Sequence, residues 1–407
     1  MTAPISAPWL NDPALIAVFD ALEQAGGQVR VNGGAVRNTL LGEPVSDIDL
    51  STDLHPPDVM AALEAAGLKG VPTGIDHGTV TAVSSGIGFE ITTLREDVET
   101  DGRRAVVRYA QDWTSDALRR DLTMNALYLD RDGTVFDPLN GIEDVRAKRV
   151  RFVGEAEARI REDYLRILRF FRFFAWYGHG RPDSEGLKAS TRCKDGLDDL
   201  SAERVWAELS KLLAAPDPSR ALLWMRTTGI LTKILPESEK WGIDAIHSLV
   251  ASETAFDWAP DPLLRLEAII PPRATHVSAL TARLKTAKIV RDRLTAWADV
   301  GGAAHLGSPA KIRAALYRHG KHPASVIDHL KLAASKADEA QEDWIALVTM
   351  AEAFVPPVLP ISGKDLIALG IAPGEALGKV LKRAEEAWIA SDFTLDRDAL
   401  LAQVRDA

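Results

Sequence analysis

Cysteine is almost absent from this chain. Its one thiol, Cys193, has no partner within the 407 residues, so no internal disulfide framework exists. Long apolar runs are missing as well. No stretch approaches the roughly 20 residues that a membrane span needs, and no apolar segment follows basic residues near the N-terminus. The expectation is a cytoplasmic protein with no membrane partner. Positive charge is in deficit: 48 Lys and Arg stand against 58 Asp and Glu, a net charge of −10. That balance excludes a general nucleic-acid coat, so any polyanion must meet a local patch. Residues 283–322 hold a candidate, with nine basic residues (Arg283, Lys285, Lys288, Arg291, Arg293, Lys311, Arg313, Arg318, Lys321) against Asp292 and Asp299. His305, His319 and His322 lie within it. Such scattered charge equally suits a solvated helix face.

What is present is enough apolar material, 46% of the residues, for a core and for two or more domains. Residues 13–25 read as an amphipathic helix. "GGQVRVNGG" reads as a glycine turn, a short strand and a glycine pair. "AVRNTLLG" gives one or two helical turns stopped by Gly42, and "VSDIDLST" alternates at the period of a strand. A helix over residues 57–66 and further strands in "GTVTAVSS", "GFEITTL", "NALYLDRDG" and "TVFDP" complete an α/β head with a small mixed sheet. From about residue 151 the pattern is helical to the end, beginning with "EAEARIREDYLRILRFFRFFAWYG".

Three stretches carry chemistry. The first runs from Gly33-Gly34 through Arg37 to Asp47 and Asp49. Two carboxylates at i and i+2 on a strand share a face, about 7 Å apart along the backbone. Their repulsion is relieved by a cation, and hard oxygen donors suit Mg²⁺ shared with substrate phosphates. Glycines let backbone N–H groups approach a triphosphate at a helix N-terminus. The combination points to nucleotidyl transfer. The second stretch, "RRDLTMNALYLD", places Arg119 and Arg120 as phosphate forks beside Asp121, an acceptor for a ribose hydroxyl. In the third, "REDYLRILRFFRF", Asp163 and Arg166 are i and i+3 on an expected helix. A carboxylate beside a guanidinium matches the amino donor and ring acceptor that C and A share, and mismatches U and G. The same pair also reads as an intrahelical ion pair worth a few tenths of a kcal/mol.

In this order the three stretches resemble the bacterial class II CCA-adding tRNA nucleotidyltransferases and their poly(A) polymerase relatives, within the polymerase-beta nucleotidyltransferase superfamily. The likeness covers roughly residues 28–210, including the connector "DPLNGIEDVRAKRVRFVG" and the helical "SAERVWAE", whose Glu203, Arg204 and Glu208 are expected to brace a neck. It implies a nucleotidyltransferase-fold head over residues 1–150, a helical neck with the base-reading helix over 151–215, and a helical, tRNA-binding body and tail over 216–407. It implies metal-holding and catalytic roles for Asp47 and Asp49. Nucleotide binding falls to Gly33, Gly34, Arg37, Arg119, Arg120, Asp121, Asn125, Asp163, Arg166 and Arg169. Mg²⁺ is the implied cofactor, with CTP, ATP and tRNA as substrates.

The chain departs from the family pattern in places. Asn38 stands where an acid usually follows the arginine, and Leu122 where phenylalanine is common. Glu90 is a candidate third carboxylate. The basic stretch frequent in poly(A) polymerases is missing from "PTGIDHGTVTAV", and "LREDVETDGRRAVVRYAQDW" supplies a flexible loop with its tip at Asp101-Gly102, which CC-only enzymes are expected to lack. Both favour complete CCA addition over poly(A) addition. No His-Asp dipeptide occurs, so no accessory phosphohydrolase activity is expected. The rival readings are a poly(A) polymerase, a catalytically dead RNA-binding adaptor and a metal-free nucleotide sensor.

Overall fold

The computed structural model describes residues 4–75, 78–101, 104–110, 112–239, 245–337 and 340–405. The chain separates into two compact units, Met1–Ile234 and Leu235–Ala407. The break falls beyond the expected neck boundary because the helices Ser219–Thr227 and Ile230–Ile234 pack with the first unit. Leu222, Met225, Ile230 and Leu231 are buried there.

The first unit opens with α1 (Pro13–Gln24), capped by Asp12, whose side chain accepts from Ala14 N at 2.8 Å. Leu15, Val18, Phe19 and Leu22 fall at i, i+3, i+4 and i+7, and all are buried against the sheet side of the helix. Then come β1 (Val29–Asn32), α2 (Gly34–Leu41), β2 (Leu50–Thr52), α3 (Pro56–Ala65), β3 (Lys69–Gly74), β4 (Thr79–Ser84) and β5 (Ile87–Thr93). A hairpin of β6 (Arg95–Asp101) and β7 (Arg104–Tyr109) leads to α4 (Trp113–Leu118), β8 (Tyr128–Leu129), β9 (Val135–Phe136) and α5 (Gly141–Arg146). Seven strands form one sheet in the order β3-β4-β5-β2-β1-β8-β9. Every neighbouring pair is antiparallel except β2 with β5, so the sheet is mixed, as expected.

The neck is helical: α6 (Ala156–Glu162), α7 (Leu165–Tyr177), α8 (Ser184–Arg192) and α9 (Ala202–Leu213). Helix α7 buries Ile167, Leu168, Phe170, Phe171 and Phe174, and it packs on α9. The second unit is all helical in its described residues, from Ala245–Ala255 to Arg397–Arg405.

Four local expectations change. The strand carrying Asp47 and Asp49 begins only at Leu50, so both aspartates lie on the loop that leads into it. Strand β1 offers no further partner, because the ladder runs out at Asn32 and Gly33 turns the chain into α2 at φ 60°. The single helix expected through residue 163 breaks at Asp163, whose φ of −156° is extended backbone. The flexible loop before Arg119 is the β6–β7 hairpin, paired from Arg95 with Tyr109 to Asp101 with Arg104. Gly102, at its expected tip, lies outside the described residues. The strand expected over "NALYLDRDG" shrinks to Tyr128–Leu129, with a 3₁₀ turn at Thr123–Asn125 before it.

Candidate active site

Gly33 is the hinge of the site. Its φ of 60° with ψ of −107° is open to glycine, and a Cβ there would meet the Arg120 guanidinium at 3.4 Å. Its N–H donates to the Leu127 carbonyl at 2.9 Å, so this amide serves the fold rather than a phosphate. Gly34 opens α2. A groove of about 490 Å³ starts at this turn and runs along the head to α7. Ten of the twelve expected site residues line it: Gly33, Gly34, Arg37, Asp49, Arg119, Arg120, Asp121, Asn125, Arg166 and Arg169. Asp47 and Asp163 do not.

The wall also contains Asn32, Arg95 and Phe173, which were not expected. Phe173 was legible in principle, since it lies four residues after Arg169 on the same face of α7. Six arginines therefore surround the groove in an acidic chain. That is the local field a polyphosphate requires.

Several of these arginines are held by the protein itself. Arg37 is buried; it donates to Asn125 Oδ1 at 2.5 Å, to Tyr177 Oη at 2.9 Å and to Asn38 Oδ1. Its guanidinium also lies 4.2 Å from the centre of the Tyr177 ring. Burial lowers the pKa of Arg37. Arg119 and Arg120 both pair with Asp116, at 2.7 and 3.0 Å. Against the upward pull of burial, the two guanidinium groups and the Tyr128 hydroxyl hold Asp116 down to about 2. Asp116 and Tyr128 are structural residues of the site that sequence reading missed.

Asp121 is also committed. Its Oδ2 pairs with Arg169 Nε at 2.6 Å, and Oδ1 accepts from Leu122 N at 2.9 Å and Asn125 Nδ2 at 3.1 Å. Burial opposes ionisation here, yet Arg169 and these bonds hold the carboxyl down to about 2. Asp121 thus ties the head to α7.

Asp163 sits between α6 and α7. Its Oδ1 accepts from Leu165 N at 3.1 Å and its Oδ2 pairs with Arg204 of α9 at 2.6 Å. Glu162 bridges Arg159 and Arg166, at 2.6 and 2.5 Å. Glu208 of α9 pairs with Arg172 at 2.6 Å. The expected bracing by Arg204 and Glu208 is therefore in place, and Glu162 holds the Arg166 guanidinium.

Asp49 has the opposite electrostatic setting to Asp121. Burial raises its pKa, and the nearby carboxylates of Glu90 and Asp47 raise it further, against a smaller pull from Arg120. The parallel register of Leu50 with Ile91 brings Glu90 alongside Asp49. Asp47 is exposed and accepts from Ser46 Oγ at 3.0 Å.

The basic stretch of the second unit is largely spoken for. Arg283 pairs with Glu237, Arg293 with Asp261 and Asp328, Arg313 with Asp392, and Arg318 with Glu386. These acids lie outside the stretch in sequence, which is why a local count overstates its charge. Lys288, Lys311 and Lys321 are exposed and make no ion pair among the described residues.

A glycine-hinged, arginine-walled groove with adjoining carboxylates on a mixed sheet defines a nucleotidyltransferase. Residues 29–151 match the "Poly A polymerase head domain", and residues 181–241 match the "Probable RNA and SrmB- binding site of polymerase A". The chain is 35% identical over 396 residues to the human mitochondrial CCA tRNA nucleotidyltransferase 1, covering 93% of this chain and 86% of that protein. It is 30% identical over 395 residues to the CCA-adding enzyme of Levilactobacillus brevis, covering 96% of each. The crystal structure of the Bacillus stearothermophilus CCA-adding enzyme in complex with CTP superposes with a TM-score of 0.76 at 27% identity, covering 98% of each chain. The chain belongs to the family of CCA tRNA nucleotidyltransferases, or CCA-adding enzymes.

Proposed function

We propose that this nucleotidyltransferase adds C, C and A to the 3′ end of tRNA from CTP and ATP. The single groove shared by Asp49, six arginines and the face of α7 carries this reading. In each addition the 3′ oxygen of the RNA bonds to the α-phosphorus, the α–β bond breaks, and pyrophosphate leaves with its charge neutralised. Arg119 and Arg120, held rigid by Asp116, supply fixed positive charge without reorganisation. Asp121, fixed by Arg169 and Asn125, stands where a ribose hydroxyl can donate to a free lone pair. Asp163 and Arg166 read the Watson–Crick edge of the incoming base, oriented by Arg204 and Glu162 respectively.

Enzymes of this class generally use divalent metal ions. The carboxylates of Asp47, Asp49 and Glu90 suit one, because their mutual repulsion raises the Asp49 pKa and a cation relieves it. Hard carboxylate donors of this kind would suit an ion that shares its remaining positions with substrate phosphates. Asp47 and Asp49 would hold such an ion, Mg²⁺ in this reading, and when bound it would supply positive charge beside the transferring phosphate. A poly(A) polymerase remains the rival, since the head family carries that name. The deciding assay incubates tRNA ending at the discriminator base with Mg²⁺ and each NTP, alone and paired, then sequences the 3′ ends. The expected product is CCA from CTP with ATP and CC from CTP alone. A-tracts from ATP alone, with CTP unused, establish the rival.

A further inference from the structure

The loop that carries Asp47 and Asp49, residues 43–49, has no regular secondary structure, so something other than a ladder must set its path. At its far end Asn32 N donates to the Asp49 carbonyl at 2.9 Å. At its near end the ties converge on one residue of α2, through its side chain and its backbone. Asn38 Nδ2 donates to the Pro44 carbonyl at 2.7 Å, and the Asn38 carbonyl accepts from Glu43 N at 2.9 Å. The other half of the same amide, Oδ1, accepts from Arg37 Nε at 3.1 Å and Nη2 at 2.9 Å. The orientation of the amide is forced, because a guanidinium only donates and a carbonyl only accepts. Asn38 is therefore a two-sided connector between the buried Arg37, which is anchored to Asn125 and Tyr177, and the carboxylate loop.

We propose that Asn38 is a positioning residue that sets the carboxylate loop for its divalent cation through the bond from its amide nitrogen to Pro44. The proposal rests on the reading that Asp47 and Asp49 hold that cation. An acid at this position would satisfy Arg37 equally well and could not donate to Pro44. The asparagine therefore gives this chain a tie that an aspartate lacks. Residues that hold metal-ligating carboxylates commonly cost tenfold or more in metal affinity when changed.

The test uses the full chain as wild type, Asn38→Asp, Asn38→Ala and Asp49→Asn. Mn²⁺ binding is read by electron paramagnetic resonance without nucleotide, and CTP addition to tRNA is followed as a function of Mg²⁺. Asn38→Asp keeps the acceptor for Arg37 and removes only the donor. It is expected to weaken Mn²⁺ binding and raise the half-saturating Mg²⁺ by about tenfold. It should lower kcat at fixed Mg²⁺ with the KM for CTP little changed, and leave the melting temperature in place. Asn38→Ala should show the same metal defect with some loss of thermal stability. If Asn38→Asp binds Mn²⁺ as tightly as wild type while Asp49→Asn does not, the proposal for Asn38 is wrong and the metal reading stands. If Asp49→Asn itself binds Mn²⁺ normally, the metal reading fails, and the proposal with it.

Discussion

At the scale of single residues, the site separates acids that are committed to the protein from acids that are not. Asp116 and Asp121 are neutralised by arginines and sit far below the usual carboxylate range. Asp49 has only carboxylates and burial acting strongly on it, and is raised. This contrast supports the proposed role of Asp49 as a ligand of the divalent cation. Asp49→Asn should abolish addition of both C and A while tRNA binding persists, because a transition-state interaction is lost and the docking surface is untouched. Turnover near the native rate at saturating Mg²⁺ would refute the assignment. Asp163 offers a second check. Asp163→Ala should slow C and A addition by about 10–100-fold, the worth of a charged hydrogen bond. Use of UTP and GTP should rise relative to CTP, because no carboxylate then faces their carbonyl oxygen. In competition with all four NTPs, an equal slowing of each would make the Asp163–Arg204 pair a purely structural brace.

At the scale of elements, what was legible followed from local chemistry. Helix α1 was readable from its apolar spacing and α2 from the αL stop at Gly42. Strands β4 and β5 were readable because each alternates along nearly its whole length. The carboxylate strand was not, since a ladder needs a partner and β1 ends at Asn32, where Gly33 turns the chain away, an event invisible in "VSDIDLST". The break at Asp163 was hidden because an aspartate in a helical pattern carries no stop signal of the strength of Gly or Pro. Most candidate site residues were legible as charged motifs, while Tyr128 was masked by its ordinary role as a core aromatic. The hairpin of β6 and β7 was readable only as a loop. It contributes Arg95 to the groove and directly precedes α4, whose end carries Arg119. A hairpin beside the groove is placed to reshape the pocket when a purine replaces a pyrimidine. Deleting residues 98–104 should therefore yield tRNA ending in CC. Equal loss of all three additions, read by sequencing 3′ ends, would instead assign the hairpin to folding.

At the scale of the whole molecule, the two units differ in how protons act on them. In the second unit Glu267 is buried near Asp328, Asp261 and Arg293. Burial and Asp328 push Glu267 well above its ordinary value, and burial raises Asp328 to about 6. Both hold protons when folded that the unfolded chain releases near pH 4. Their contribution is complete below that pH and is lost as pH rises through about 6 and beyond, by up to about 1.4 kcal/mol per proton per pH unit. In the first unit Asp116 and Asp121 act in the reverse sense, contributing above about pH 4 and failing toward 2. The melting temperature of the second unit should therefore rise between pH 8 and 5.5, and Glu267→Gln should flatten that rise; a slope unchanged by the substitution would discount the cluster. We propose that this unit also meets the tRNA body. Lys311→Glu with Lys321→Glu should raise the KM for tRNA and make its salt dependence shallower, with a smaller effect on a minihelix. If both RNAs respond alike, these lysines are a solvated face. The parallel ladder of β2 with β5 has one more consequence, for the lengths of chain this family can tolerate. Asp49 and Glu90 meet because two short strands pair, and not because of the path between them. Insertions at the turns of residues 53–86 leave the acids together. One residue gained or lost inside β5 turns Glu90 to the opposite face of the sheet.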